Sequence, residues 1–225
     1  EERGRGPDGD ERRHTVEPRA GDGVLSTAAP RGAVSDQFNY DPADPAPTLG
    51  GNLLDCLMCL SVQQGPVNQA KAEARADVLV YTTPALTEPV EVTGPLMVKL
   101  YASTSASDTD WTAKLVDVHP DGYAQNIQDG IIRARYRRGK EAPAALPEPG
   151  KVYEYQIDLW ATSNTFLPGH RIRVEISSSN FPRFDRNLNT GEDPMTGVRM
   201  LQARQTVYHS ARYPSHILLP VIPKE

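Results

Sequence analysis

Ser177, Ser178 and Ser179 open the stretch SSSNFPRFDRNLNTG (residues 177–191), with His170 upstream and Asp185 inside it. Serine, histidine and carboxylate are the residue types of nucleophilic acyl transfer, in which a hydroxyl attacks a carbonyl while an imidazole takes its proton. The spacing argues against a local triad. In RIRVEIS (residues 171–177), Ile172, Val174 and Ile176 alternate with Arg171, Arg173 and Glu175, the period of a strand with one buried and one wet face. Along such a strand His170 stands roughly 20 Å or more from the serines, and Ser177 and Ser178 face opposite sides of the sheet. No G-x-S-x-G nucleophile elbow occurs anywhere in the chain. The serines and Asn180 are expected to satisfy backbone groups where a strand breaks into a loop, and no catalytic residue is assigned.

Two other groupings have the right atoms for metal chemistry. Cys56 and Cys59 form a C-x-x-C pair, which supplies two of the four ligands of a structural zinc site and has no βαβ context for thioredoxin-like redox work. Asp108, Asp110, Asp117 and Asp121 offer oxygen ligands of the kind calcium takes. Asp108 and Asp110 fall in a turn and Asp117 lies along the next strand, so turn-capping is the expected role of the first two. Neither a metal nor a cofactor is expected. Trp111, Trp160, Tyr123 and Phe181 are candidates for stacking on sugar rings, but both tryptophans fall in or beside strands, where core packing is the usual role.

These residues are carried by short β-rich segments that begin at Asp77: DVLVYTT, LMVKLYAS, TAKLVDVH, GIIRARYR, KVYEYQIDLW, RIRVEISSS, RQTVYH and SHILLPVI. In KVYEYQIDLW, Tyr153, Tyr155, Ile157 and Leu159 point one way, and Glu154, Gln156 and Asp158 the other. Eight such strands without a long amphipathic helix predict an all-β sandwich over residues 77–225. Residues 1–19 are expected to be disordered or to be the edge of a fragment. Residues 20–76 read as a linker or wrapping arm: YDPADPAPTLGG carries four prolines that must be extended or turning, over a surface supplied by something else, and LLDCLMCLSVQQ (53–64) is a short helix candidate.

The 225 residues carry a formal net charge of −5 and 38% apolar residues. Nucleic acid and anionic membranes are not expected as partners, because both need clustered positive charge, and no apolar run approaches the roughly 20 residues of a membrane span. With two cysteines and no apolar leader at the start, the cytoplasm is the expected compartment.

The stretches AGDGVLS, YDPADPAPTLGG, GPVNQAKAEARADVLVYTT, EPVEVTGPLMVKLYASTSASDTDWTAKLVDVHPDG, DGIIRARYR, ATSNTFLPGHRIRVEISSSNFPRFDRNLNTG and RQTVYHSARYPSHILLPVI run in consistent order from Ala20 to Ile222. Together they resemble the C-terminal portion of the cocaine esterase and X-Pro dipeptidyl-peptidase family of serine hydrolases. The resemblance implies a jelly-roll β-sandwich with a galactose-binding-like fold and an irregular Pro/Gly-rich N-terminal arm. It implies as partner an α/β-hydrolase domain carrying the Ser, Asp and His of the triad. No triad residue then falls within this sequence, and the chain alone is expected to be inert. Small ester or peptide substrates, X-Pro dipeptides included, would be met through that domain. Asn52, Leu53 and Leu54 resemble the segment that reaches the substrate pocket, and Phe181 is placed beside them as pocket wall. ERRHTVEPR stands where the family has an aromatic-rich strand, Asp55 where an aromatic often follows the leucines, and Asn68 where the family has an acidic residue. A stand-alone carbohydrate-binding sandwich and a split subunit that reassociates with a separate hydrolase chain are the alternatives.

Overall fold

Alternation becomes strand wherever it was read. In the computed structural model, which describes residues 10–17, 23–28, 33–52, 63–139, 141–193 and 196–223, the strands are β1 (Asp10–Glu17), β2 (Gly23–Ser26), β3 (Ala33–Tyr40), β4 (Leu79–Thr82), β5 (Val90–Thr104), β6 (Asp110–Val118), β7 (Ala124–Arg133), β8 (Tyr153–Phe166), β9 (Arg171–Ser177), β10 (Ala203–Ser210) and β11 (His216–Val221). Helix is confined, among the described residues, to the single turn α1 (Ala70–Glu73) and a 3-10 turn at Ala134–Tyr136. The helix candidate at 53–64 lies outside the described residues except for its last two, which are not helical.

Backbone pairing links the strands in the order β3-β10-β5-β11-β1-β2-β4-β9-β6-β7, with β8 added on β5. The long β5 pairs with β8 along one edge and shares the other between β10 and β11. The ribbon folds over into two layers around one core. Trp111 of β6 sets its ring 5.7 Å from that of Tyr155 on β8 and 6.4 Å from that of Phe38 on β3. Where the layers close, a Cβ on Gly130 of β7 would stand 2.1 Å from the carbonyl oxygen of Asp158 on β8, so only glycine permits that approach. The fold is the expected all-β jelly-roll sandwich.

The predicted faces are present. Tyr155, Ile157 and Leu159 are buried and Glu154, Gln156 and Asp158 exposed, and Ile172, Val174 and Ile176 belong to the same core. Ile172→Ala is therefore expected to cost about 2–5 kcal/mol through lost apolar contact and a residual cavity. Urea denaturation checks it, and a near-neutral value would contradict the inward placement.

Two expectations are corrected. Residues 10–17, within the stretch expected to be disordered, form β1, which is bonded to β11 on one side and β2 on the other. Ladder bonds on both edges order a strand whose composition does not announce one. The sandwich also begins before Asp77: β2 and β3 are part of it, and Leu25, Phe38 and Tyr40 lie in its core.

Candidate functional site

The serine cluster is structural. Ser177 Oγ donates to the carbonyl of Asp77 (2.7 Å), Ser178 Oγ accepts from Gln205 Nε2 (3.0 Å), and Ser179 Oγ accepts from the Ala46 amide (2.8 Å). All three are buried. His170 is bonded instead to Asp117, Nδ1 to Oδ1 at 2.9 Å, and the exposed Asp185 pairs with Arg133 at 3.2 Å. The fold brings no Ser–His–Asp arrangement together here.

The acidic residues separate into distinct roles. Asp108 and Asp110, expected to cap a turn, are instead buried ion-pair partners. Asp110 takes a two-pronged grip from Arg133 (2.9 Å to each oxygen), and Asp108 accepts from Arg135 Nε at 2.8 Å. Asn187 Nδ2 sits between them, 3.0 Å from Asp108 and 2.9 Å from Asp110. Burial pushes the Asp110 carboxyl up from its ordinary range, against the pull of Arg133 and Asn187. Asp121 does cap a turn, accepting from the Tyr123 amide at 3.0 Å. The four carboxylates therefore do not converge as a calcium site would require.

A second polar cluster fills the space between α1 and the outer face of β9. Glu175, expected on a wet face, is 3% exposed. Lys114 Nζ stands 3.5 Å from Glu175 and donates to Gln69 Oε1 at 2.9 Å, while Arg173 grips Glu73 at 2.6 Å. Burial raises Glu175 to about 7, Lys114 opposing and Glu73 adding to the rise.

The residues proposed as pocket wall divide. The proline-rich arm runs along a surface of its own domain, the loop after β9: Pro47 bridges Phe181, the Thr48 amide donates to the Phe181 carbonyl (2.7 Å), and the Phe181 amide to the Ala46 carbonyl (3.0 Å). Phe181 remains exposed, with Arg186 over its ring. Gly51 and Gly65 exchange backbone bonds and close the root of the intervening segment. Asn52, just past that root, is exposed and donates to Gln128 Oε1 at 3.4 Å; Gln128 in turn donates to the Ala161 carbonyl at 2.7 Å. Leu53 and Leu54, like Cys56 and Cys59, lie outside the described residues.

Beside Ala161 is a feature that sequence reasoning assigned to the core. Trp160 is 67% exposed with φ +67°. A β-bulge between β5 and β8 falls here: Pro95 pairs with Ala161 but Met97 with Asp158. Trp160 keeps the outward parity of Glu154, Gln156 and Asp158, and past it the extra residue flips the alternation, so that Phe166, on what had been the outer parity, is buried. Trp160, Tyr136, Phe184 and Met97 line a cleft of about 580 Å³ with Arg137, Arg138, Gln156 and Asp158. Trp111 is fully buried, as expected for a strand tryptophan.

Comparison with known proteins agrees with this geometry. The family profile for the X-Pro dipeptidyl-peptidase C-terminal non-catalytic domain matches residues 11–218. The chain is 49% identical over 209 residues to the cocaine esterase of Rhodococcus sp. (strain MB1 Bresler), covering 90% of this chain and 35% of that protein. It superposes with a TM-score of 0.85 and 35% identity on an aminopeptidase from a marine sediment archaeon, Thaumarchaeota archaeon, over 95% of this chain and 37% of that one. An α-amino acid ester hydrolase superposes with a TM-score of 0.83 and 32% identity, over 94% and 36%. The chain thus spans about a third of the length of each of these relatives.

Proposed function

Since the chain belongs to the X-Pro dipeptidyl-peptidase C-terminal non-catalytic domain family, we propose that it completes a serine hydrolase acting on ester bonds, X-Pro peptide bonds being the related alternative substrate class. The observation that carries this reading is the identity of 49% to an esterase of which the chain matches only a third. The engagement of Ser177, Ser178 and Ser179 in buried structural bonds supports it from the other side. In such an enzyme a serine of the α/β-hydrolase domain attacks the carbonyl, a histidine transfers the proton and water releases the acyl group.

This domain's part is to stiffen and to shape. Asn52, Leu53 and Leu54 follow the Gly51–Gly65 root, and with Phe181 they wall the acyl side of the substrate pocket. Trp160 and Tyr136, both exposed large aromatics, are the anchors by which the sandwich packs on the hydrolase domain, since aromatic side chains at the centre of an interface carry much of its energy.

The test has two arms. The 225-residue chain alone is incubated with p-nitrophenyl acetate, an Ala-Pro chromogenic dipeptide and a fluorophosphonate serine probe. It is then added in trans to the Rhodococcus esterase lacking its own C-terminal third. Neither labelling nor turnover is expected from the chain alone, and restored ester hydrolysis from the mixture, with Trp160→Ala weakening the association about tenfold or more. Labelling and turnover by the chain alone, or a truncated esterase indifferent to its addition, would overturn the reading.

A further inference from the structure

We propose that Asp117, His119 and His170 form a binding site for one divalent transition-metal ion of the zinc type, at the rim of the sandwich. The function proposed above makes no use of these residues, and the site stands independently of it.

The strand register builds the cluster. On β6, Trp111, Ala113 and Leu115 face the core, and the same period of two carries on through Asp117 to His119, just past the strand end. On β9, Ile176, Val174 and Ile172 face the core, and the series continues backward to His170. Asp117 pairs with Ile172 and Val118 with Arg171, which sets His119 opposite His170. Three metal-ligating side chains therefore take over the two core-facing columns where the apolar layers stop.

The geometry suits one ion. Each residue offers a ligand atom, and these atoms lie within 4.8 Å of one another. His170 Nδ1 is 2.9 Å from Asp117 Oδ1, and the two imidazole rings lie 4.5 Å apart, tilted by 35°. A tetrahedral ion with bonds of ~2.0–2.1 Å holds its ligands roughly 3.4 Å apart, so small side-chain rotations close the shell. The backbone beneath is held. His119 donates its amide to the Tyr123 carbonyl (2.9 Å) and accepts from the Gly122 amide (2.9 Å), while the His170 carbonyl accepts from the Leu86 amide (2.8 Å).

Ligand chemistry selects the metal. Two imidazoles and one carboxylate suit zinc, iron, nickel or copper, whereas calcium takes six to eight oxygens. Three protein ligands leave a position for water. The Asp117–His170 bond alone is explained as an ordinary buried polar pair, and the His119 ring also packs on the Tyr123 ring at 5.3 Å, but neither contact makes use of the His119 ring nitrogens, and the metal does. Bound there, the ion ties the turn after β6 to the turn before β9.

The experiment uses the chain with Cys56→Ser and Cys59→Ser, which removes the thiol pair as a competing zinc ligand set. Zinc titration by calorimetry is expected to give one ion per chain, with His119→Ala and His170→Ala each weakening binding about tenfold or more. Cobalt(II) should produce ligand-field bands of a nitrogen- and oxygen-ligated ion. As a readout that needs no histidine variant, zinc should protect His119 and His170 from diethyl pyrocarbonate, followed by peptide mass spectrometry. Zinc binding indifferent to both histidine substitutions, or no protection of either histidine at saturating zinc, would overturn the proposal, as would the absence of binding at millimolar zinc.

Discussion

Arg133→Ala is expected to destabilise the domain by roughly 3–5 kcal/mol at neutral pH, because it strands a buried carboxylate. Asp110 is 1% exposed, and both of its oxygens rest on the Arg133 guanidinium. Without that partner Asp110 keeps only Asn187 Nδ2, and the like charge of Asp108 remains nearby. The outer contact of Arg133 with Asp185 adds little, since Asp185 is largely exposed.

The pH dependence follows with a definite sign. Burial already raises Asp110 above its unfolded value, so the native state binds its proton more readily than the unfolded state does, and this group's contribution to stability falls as pH rises. Arg133→Ala removes the main opposing pull and should steepen that fall, so that the variant recovers part of its loss in acid. Combining Arg133→Met with Asp110→Asn removes both charges and should restore most of the stability. Guanidinium denaturation of the single and double variants is the measurement. A single variant within about 1 kcal/mol of the parent would mean that Asp110 does not depend on Arg133 for its burial.

Glu175→Gln should flatten the fall in stability between about pH 4.5 and pH 7. Glu175 is raised to about 7 from an ordinary value of 4.5. A native pKa above the unfolded one means that folding takes up a proton in this window. The group imposes no penalty below the unfolded value, and the full penalty has developed once pH passes the folded one.

Lys114 complicates the absolute value, because glutamine leaves its ammonium with Gln69 alone. The readout is therefore the slope. Parent and variant are melted in urea across the pH range, and the parent's curve should fall relative to the variant's as pH rises. Parallel curves would show that Glu175 is ionised throughout, held by Lys114.

Strand positions were legible because the chemistry that sets them is local. Alternation in KVYEYQIDLW and RIRVEIS requires only that one face of a pleated strand be apolar, and Tyr155, Ile157, Ile172 and Val174 are buried accordingly. The serines of 177–179 were likewise readable as structural, from spacing alone. Partners across the fold were not readable. Asp108 and Asp110 look like turn caps until Arg133, Arg135 and Asn187 converge on them from two other segments. Glu175 alternates as a wet residue until α1 covers that face of the strand. Asn52 had a signal in the family resemblance and Phe181 was set beside it; Asn52 lies at the end of the arm and Phe181 on the loop the arm runs along. Trp160 had a local signal, since it continues the outward series of Glu154, Gln156 and Asp158; Phe166 had none, because its inward turn depends on a bulge defined only by pairing with β5.

By itself the sequence determined the strand segments and their inward columns, the absence of a nucleophile elbow, and the family to which the chain belongs, since all of these are written in neighbouring residues or contiguous motifs. Tertiary structure decided which polar groups are buried in pairs, that Phe166 turns inward past a bulge, that residues 10–17 complete the sheet, and that Asp117, His119 and His170 meet at one rim. The physical reason is register. A ladder between distant strands fixes which side chains are opposite, and shifting it by one residue moves every side chain to the other face.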